Sequence, residues 1–229
     1  MKKNAIISCV GDTSLHKEWI KGEDPNFDLI LIYYGGGKEL DYINDCRFLI
    51  QGKGFKYRLI ESFLQEYWDD IKHYEYVSFT DDDLLGDAYC FNNLFNKMKE
   101  YKLWIAQPAM THDSFINHVE LEQNDNALLR YTSFVEIMTP TFDVEILEKI
   151  KHTINDTDSG WGLEFLWFDM LGTPEDKFAI IDETPIKHTK PFTGNYPPGV
   201  NPSADWQRTI DKFPHTNHGI KLFETIWKK

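Results

Sequence analysis

The sequence predicts an α/β fold: a single domain with a mixed, mainly parallel sheet flanked by helices. Three observations carry this. Short apolar runs alternate with segments whose apolar residues recur every three or four positions, as strands alternating with amphipathic helices do. The 229 residues fit one large domain (1–229), and a chain of that length buries a sizeable core without disulfides or structural metals. Hydrophobic residues make up 41% and aromatic residues 15%, which excludes a disordered chain, and no internal repeat or low-complexity tract interrupts the pattern.

Residues 5–10 (AIISCV) read as the first strand, followed by Gly11 and Asp12. Residues 27–34 (FDLILIYY) are the second, ended by Gly35, Gly36 and Gly37, and residues 47–50 form a short third. Leu59, Ile60, Phe63, Leu64, Tyr67 and Trp68 then fall on one stripe of a helix. Residues 74–80 (YEYVSFT) are a fourth strand that runs straight into Asp81, Asp82 and Asp83. Phe91, Leu94, Phe95, Met98 and Tyr101 mark the next helix. Residues 103–106 read as a strand ended by Pro108. Residues 128–138 alternate, with Leu129, Tyr131, Ser133, Val135 and Ile137 on one side, and read as a long antiparallel strand stopped by Pro140. Val144, Leu147 and Ile150 indicate a helix, as do Leu163, Leu166, Trp167 and Met170. Residues 178–181 are expected to be the final strand. Residues 191–214 hold five of the ten prolines and read as a Pro/Gly-rich loop, with 220–227 as a closing helix.

Charge narrows the function. Lys plus Arg number 24 and Asp plus Glu 37, a net −13. That balance disfavours a nucleic-acid binder, which needs a basic footprint, and a polybasic membrane-surface protein. No run approaches the roughly 18 apolar residues of a membrane span. The apolar stretch after Met1-Lys2-Lys3 is too short for a signal peptide and lacks a cleavage site. Cys9, Cys46 and Cys90 are odd in number without metal-like spacing, so free thiols and a cytoplasmic location are expected.

In an open α/β sheet, ligands bind at the carboxyl edge of the parallel strands, and the acidic triplet sits at such an edge. Three adjacent carboxylates repel one another, which calls for a compensating cation, and oxygen ligands select Mg²⁺ or Mn²⁺. The alternative is that Asp82 or Asp83 caps the following helix. Further along, Gly160 and Gly162 bracket Trp161, whose flat face suits a sugar ring, and Glu164 follows at a helix start. The dipole there favours the ionised carboxylate that a general base needs; the alternative is a core Trp and a capping Glu. His188 lies just beyond the last expected strand and could ligate Mn²⁺, or be an ordinary surface or core histidine. Lys187 and Lys190 could oppose a pyrophosphate. Gly35–Gly37 do not form a P-loop, since no Gly-Lys-Ser/Thr follows. Lys53, Lys56 and Arg58 near a helix start could contact phosphate, but read first as a solvated face.

Together these residues resemble the GT-A fold of nucleotide-sugar-dependent glycosyltransferases: a strand ending in Asp-x-Asp, a downstream Gly-Trp-Gly-x-acid, and a late His. Within that fold the chain is similar to an uncharacterised glycosyltransferase-like family of bacteria and plants. Its plant members are labelled lysine-ketoglutarate reductase trans-splicing related proteins. Residues 10–16, Trp19 and Tyr33-Tyr34-Gly35 carry this likeness, with Asp81–Asp83, Ala106-Gln107-Pro108 and Leu129-Arg130-Tyr131. It continues through Phe134-Val135-Glu136-Ile137-Met138, residues 159–164, Ile181-Asp182 and His188-Thr189.

The resemblance implies metal-dependent transfer of a sugar from a nucleotide-diphosphate sugar to a hydroxyl acceptor, in surface polysaccharide or glycan synthesis. It implies Asp81, Asp83 and His188 at Mn²⁺ or Mg²⁺, and Asp12, Asp82 and Lys187 at the nucleotide. Gly160, Trp161 and Gly162 would face the acceptor, with Glu164 as the catalytic acid position. Many inverting relatives carry two acids after the Gly-Trp-Gly turn and use the second as base. Here Phe165 takes that place, so Glu164 is either the base or an anchor for acceptor hydroxyls. Two other classes stay open. One is a non-catalytic nucleotide- or glycan-binding module. The other is a metal-dependent phosphohydrolase, although Leu84-Leu85 stand where haloacid-dehalogenase-type enzymes need Thr.

Overall fold

The run 4–10 is buried at every position, on both alternations, so as a strand it needs paired neighbours on each edge and cover on each face. The computed structural model, which describes residues 1–37, 39–191, 199–212 and 219–229, supplies both. Along the first half lie β1 (Asn4–Val10), α1 (His16–Trp19), β2 (Phe27–Tyr33), α2 (Glu39–Tyr42), β3 (Phe48–Gln51) and α3 (Lys56–Ile71). They continue with β4 (Tyr76–Phe79), β5 (Leu84–Leu85), α4 (Ala88–Tyr101) and β6 (Ile105–Met110). The second half holds β7 (Ala127–Thr132), β8 (Thr141–Asp143), α5 (Val144–Ile150), α6 (Leu163–Met170), β9 (Phe178–His188), α7 (Pro202–Lys212) and β10 (Leu222–Trp227).

The sheet order is β10-β7-β9-β6-β8-β4-β1-β2-β3, with β5 attached to β9. β1 pairs in parallel with β2 on one edge and β4 on the other. Along this path only β7 and β8 run against the rest. The chain therefore winds outward from β1 in both directions, and the crevice at the carboxyl ends of β1 and β4 is a topological switch point. Alternate residues of β1 feed two cores. Ile6 and Val10 join Trp19, Phe91, Phe95 and Met98 beneath α1 and α4. Ala5, Ile7 and Cys9 join Ile60, Phe63, Leu147, Leu166 and Trp167 beneath α3, α5 and α6. The three cysteines are free thiols. Among the described residues no helix is long and apolar enough to cross a membrane.

Five expectations need correction. Strand β6 passes through Pro108, which pairs with Ile181. The Ile105 N–H points to the Lys177 carbonyl on the β9 side, so alternation turns the Pro108 nitrogen to the other edge, where β8 pairs only with Ile105 and Ala106. The strand expected over 128–138 stops at Thr132, because residues 133–140 leave the ladder and arch over the carboxyl edge. The strand expected to end at Ile181 continues to His188 and is not the last. Residues 220–227 form an edge strand, antiparallel to β7, not a helix. Finally, the loop expected over 191–214 contains α7: Pro202 occupies the first helical turn and the Asn201 side chain accepts from the Ala204 N–H. The rest of that loop, 192–198 and 213–214, lies outside the described residues.

Candidate active site

Strand β4 delivers the three aspartates to the carboxyl edge, and the surrounding backbone then spreads them apart. The Asp81 N–H donates to the Met138 carbonyl, the Asp82 carbonyl accepts from the Leu15 N–H, and the Asp83 carbonyl accepts from the Thr189 hydroxyl at 2.7 Å. Each carboxylate consequently meets a different partner. Asp81 pairs with Lys56 Nζ at 2.7 Å. Asp82 Oδ2 accepts the Gly11 N–H at 2.7 Å and the Tyr34 hydroxyl at 3.3 Å. Asp83 Oδ2 faces His188 Nε2 at 3.7 Å. Capping of α4 falls to Asp87, whose side chain accepts from the Cys90 N–H, so none of the three is a helix cap.

Burial raises the pKa of Asp81, which Lys56 opposes, and burial likewise raises that of Asp82, which the Gly11 N–H opposes. Asp83 differs: burial opposes its charge, but the His188 contact outweighs it and the pKa lies below the usual value. His188 shifts the other way, since its bond to Asp83 overcomes the cost of burial.

His188 ends β9 opposite Leu84 of β5, which brings it to the acidic edge from 105 residues away. Its Nδ1–H donates to the Phe115 carbonyl at 2.7 Å, which leaves Nε2 turned to Asp83. A nitrogen and an oxygen 3.7 Å apart lie within the span of two ligand bonds of about 2.1 Å each, so this pair fits one hard divalent ion. Asp81 is committed to Lys56. Among the described residues no group of three His, Cys, Asp or Glu side chains could hold a metal ion.

This pair opens onto a cleft of about 820 Å³. Asp81, Asp83 and His188 form one end, and Trp161, Glu164, Phe165 and Trp206 line it as well. Trp161 lines the cleft, whereas Gly160 and Gly162 shape the turn that presents it. Both are left-handed, at φ +88° and +95°, and a Cβ would lie 2.6 Å from the Tyr57 ring or 2.7 Å from Thr209. Asp205 of α7 locks the same turn. Its Oδ2 accepts from the Thr157 and Ser159 hydroxyls and from the Asp158 and Ser159 N–H groups, at 2.6–3.1 Å. This latch holds Trp206 over the cleft.

Glu164 is 7% exposed, and its Oε2 accepts the Gly162 N–H at 3.0 Å. Burial pushes its pKa up to about 8, and the nearby Glu136 charge adds to the rise. Glu164 is therefore mainly protonated near neutral pH, against the expectation that the helix dipole would keep it ionised. Glu136, 9% exposed, comes from the arch 133–140. Burial pushes it up to about 7; Asp81 adds to the rise, and His188, the Asn117 amide and Lys56 oppose it.

Three residues expected at the nucleotide do not line this cleft. Asp12 accepts from the Tyr33 hydroxyl and from the Gly36 N–H at 3.2 Å, beside a second cavity bounded by Gly35–Gly37 and Lys53. Asp82 lies between β1 and the end of β2. Lys187 is turned away by the alternation that brings His188 in, and pairs with Asp113 at 2.5 Å. Lys190 instead supplies positive charge to both Asp82 and Asp83. From sequence, Lys56 reads as a solvated residue and Glu136 as a fallback acid behind Glu164; the structure turns Lys56 inward and places Glu136 in the cleft. A signal for Glu136 existed: one carboxylate inside the apolar run Phe134-Val135-Glu136-Ile137-Met138.

No known family's sequence model matches the chain. No curated protein matches it in sequence. Solved structures do. The chain is similar to GalNAc-T7 solved with UDP, GalNAc and Mn²⁺, at TM-score 0.67 and 9% identity over 91% of this chain and 48% of that one. It is similar to S. aureus TarS 1–349 in complex with UDP-GlcNAc, at TM-score 0.54 and 12% identity over 92% of this chain and 71% of that one. A longer S. aureus TarS chain gives TM-score 0.57 and 11% identity, with 83% of this chain covering 37% of it. The chain thus spans less than half the length of GalNAc-T7 and of the longer TarS chain. At such identities the likeness is one of fold: a single GT-A-like α/β domain with a mixed central sheet flanked by helices.

Proposed function

We propose that this chain transfers a sugar from a nucleoside-diphosphate sugar to an acceptor hydroxyl. One observation carries the reading: a carboxylate and an imidazole, Asp83 and His188, meet at the carboxyl edge of the sheet and face a cleft that also holds tryptophans and buried acids. The fold likeness to structures solved with UDP-GlcNAc, or with UDP and Mn²⁺, supports it. Asp83 and His188 are the residues that would hold Mn²⁺ or Mg²⁺, with Lys190 adding positive charge. Bound there, a divalent ion offsets the charge of the departing diphosphate. Asp12 and Asp82 lie toward the nucleoside, next to Tyr33 and Tyr34. Trp161 offers its face to an acceptor sugar and Glu164 anchors acceptor hydroxyls. Surface polysaccharide or other glycan synthesis is the process such a transfer serves. The motifs quoted above point further to the glycosyltransferase-like family with plant members.

A thermal-shift screen of nucleoside diphosphates and nucleotide sugars, with and without Mn²⁺, tests this, because a ligand of the native state raises Tm by mass action. A rise with UDP or a UDP-sugar that requires Mn²⁺ is expected. No rise with any nucleotide would remove the reading. Binding without turnover across an acceptor panel would leave a binding module, and hydrolysis without an acceptor preference would favour the phosphohydrolase.

A further inference from the structure

Two buried carboxylates, Glu136 and Glu164, face one cleft, and the reaction needs one proton acceptor. Their settings differ. Glu164 folds back on its own helix start and accepts the Gly162 N–H, and the foremost charge acting on it is that of Glu136. Glu136 feels His188, Asp81 and Lys56 from the metal end of the cleft, and the Asn117 amide from the loop after β6. Tyr57 of α3 also faces these acids and donates its hydroxyl to the Ile137 carbonyl at 2.8 Å. The arch that carries Glu136 touches the strand ends directly, since the Asp81 N–H donates to the Met138 carbonyl and Lys56 bridges Asp81 to the Ile137 carbonyl, which sets Glu136 on the metal side of the cleft.

The backbone around Glu136 is held firmly. Its N–H donates to Gln107 Oε1 at 2.5 Å, and Lys56 Nζ donates to the Ile137 and Met138 carbonyls at 2.7 and 2.9 Å. These bonds fix the backbone that carries Glu136, which limits the reorganisation its side chain needs. We propose that Glu136 takes the proton from the acceptor hydroxyl, while Glu164 hydrogen-bonds the acceptor. This rests on the sugar-transfer reading. In a single displacement, the Glu136 carboxylate removes the hydroxyl proton and the acceptor oxygen bonds to the anomeric carbon. The bond from that carbon to the diphosphate oxygen breaks, and the nucleoside diphosphate leaves with its electron pair. The electrostatics point the same way: burial raises both acids and Asp81 adds to the rise at Glu136, but His188 and Lys56 oppose it there, whereas at Glu164 the Glu136 charge adds to the rise and backbone N–H groups oppose it.

The experiment measures UDP release from UDP-GlcNAc and UDP-GalNAc with Mn²⁺, using a panel of mono- and oligosaccharides and water as acceptors, beside calorimetric donor binding. Glu136→Gln should lower kcat by about 10²–10⁴-fold with the donor Kd within about twofold of wild type. Glu136→Asp should recover part of that loss. Glu164→Gln, which keeps a donor, should act mainly on acceptor KM and cost far less kcat. The wild-type kcat should fall on the acid side with a midpoint near 7, and this limb needs no variant to fold. If Glu164→Gln takes the kcat loss while Glu136→Gln turns over normally, the proposal is overturned and sugar transfer stands. Loss of donor binding in Glu136→Gln, or a flat acid limb, overturns it as well. A wild-type protein that binds donor but releases no UDP rules out the catalytic assignment. One that binds no nucleotide sugar removes the sugar-transfer reading itself.

Discussion

Replacing Glu164 by Gln should stabilise the protein at pH 8 and leave it nearly unchanged at pH 5. The pKa of Glu164 rises from an ordinary 4.5 to about 8, chiefly through burial. Between those values the unfolded chain has released the proton and the native chain retains it. The native state then binds more protons, and stability falls as pH rises. At about 1.4 kcal/mol per pKa unit, the full interval is worth about 4–5 kcal/mol, which is a ceiling. Gln is neutral in both states, nearly isosteric, and keeps an oxygen for the Gly162 N–H, so the variant escapes that loss.

For a chain of this length each kcal/mol moves Tm by about 2–4 °C, so Glu164→Gln should melt about 5–15 °C above wild type at pH 8. At pH 5 only about half a unit of the interval above 4.5 has been crossed, and the gap should shrink to about 1–3 °C. Thermal denaturation of both proteins at the two pH values is the assay. Glu136 titrates in the same direction, toward about 7, but it is common to both proteins and largely cancels. An equal effect at both pH values, or destabilisation at pH 8, would refute the view that Glu164 is a neutral acid in the native cleft.

Asp83→Asn removes one charge with almost no change of shape, so Mn²⁺-dependent nucleotide binding should vanish in calorimetry while the circular dichroism spectrum and Tm stay close to wild type. Asp205→Asn weakens the latch between α7 and the 157–159 turn. It should cost about 2–4 kcal/mol in urea denaturation and speed proteolytic cutting within 199–212. Arg130 is nearly buried, forks onto Asp182 with two bonds of 2.9 Å, and donates to the Glu120 and Glu122 carbonyls. Arg130→Met strands the Asp182 charge and should cost about 3–5 kcal/mol, read by urea denaturation.

Elements whose pattern is set by local burial were legible in the sequence. Strands β1, β2 and β4 and helices α3 and α4 bury their apolar residues on the faces that their spacing indicates. The misreadings share another cause: tertiary contacts overrode the local period. In β10, Leu222, Phe223, Ile226 and Trp227 fall at helical spacing. The strand tolerates this because its ladder with β7 shifts register between Leu222 and Thr225 and again after Ile226. The arch 133–140 continues the alternation of β7 because Phe134, Val135 and Met138 are buried without being in a ladder. Helix α7 was hidden because Pro202 reads as a breaker in a proline-rich stretch, although the first helical turn is where proline fits. In the site, Asp83 was legible because an apolar strand runs straight into it, whereas the strand that ends at His188 was expected to stop at Ile181. Lys56 was not legible, because sequence cannot show that its Nζ reaches across to Asp81 and the arch.

A chain of net charge −13 with five acids in one cleft looks hostile to an anionic donor, but the count of acids misstates the field inside. Asp81 is neutralised by Lys56 and Asp158 by Arg58, at 2.7 and 2.6 Å. Glu164 holds its proton to about pH 8. What remains is Asp83 with its His188 partner, Lys190 acting on that end, and Glu136. Repulsion falls off within about 8–10 Å in physiological salt, so the acidic outer surface contributes little at this depth. The pairing also divides the cleft. His188 and Lys190 bring positive charge to Asp83 at the strand ends, where a diphosphate would need it, and Glu136 and Glu164 lie on the arch and α6, where a hydroxyl acceptor would meet them.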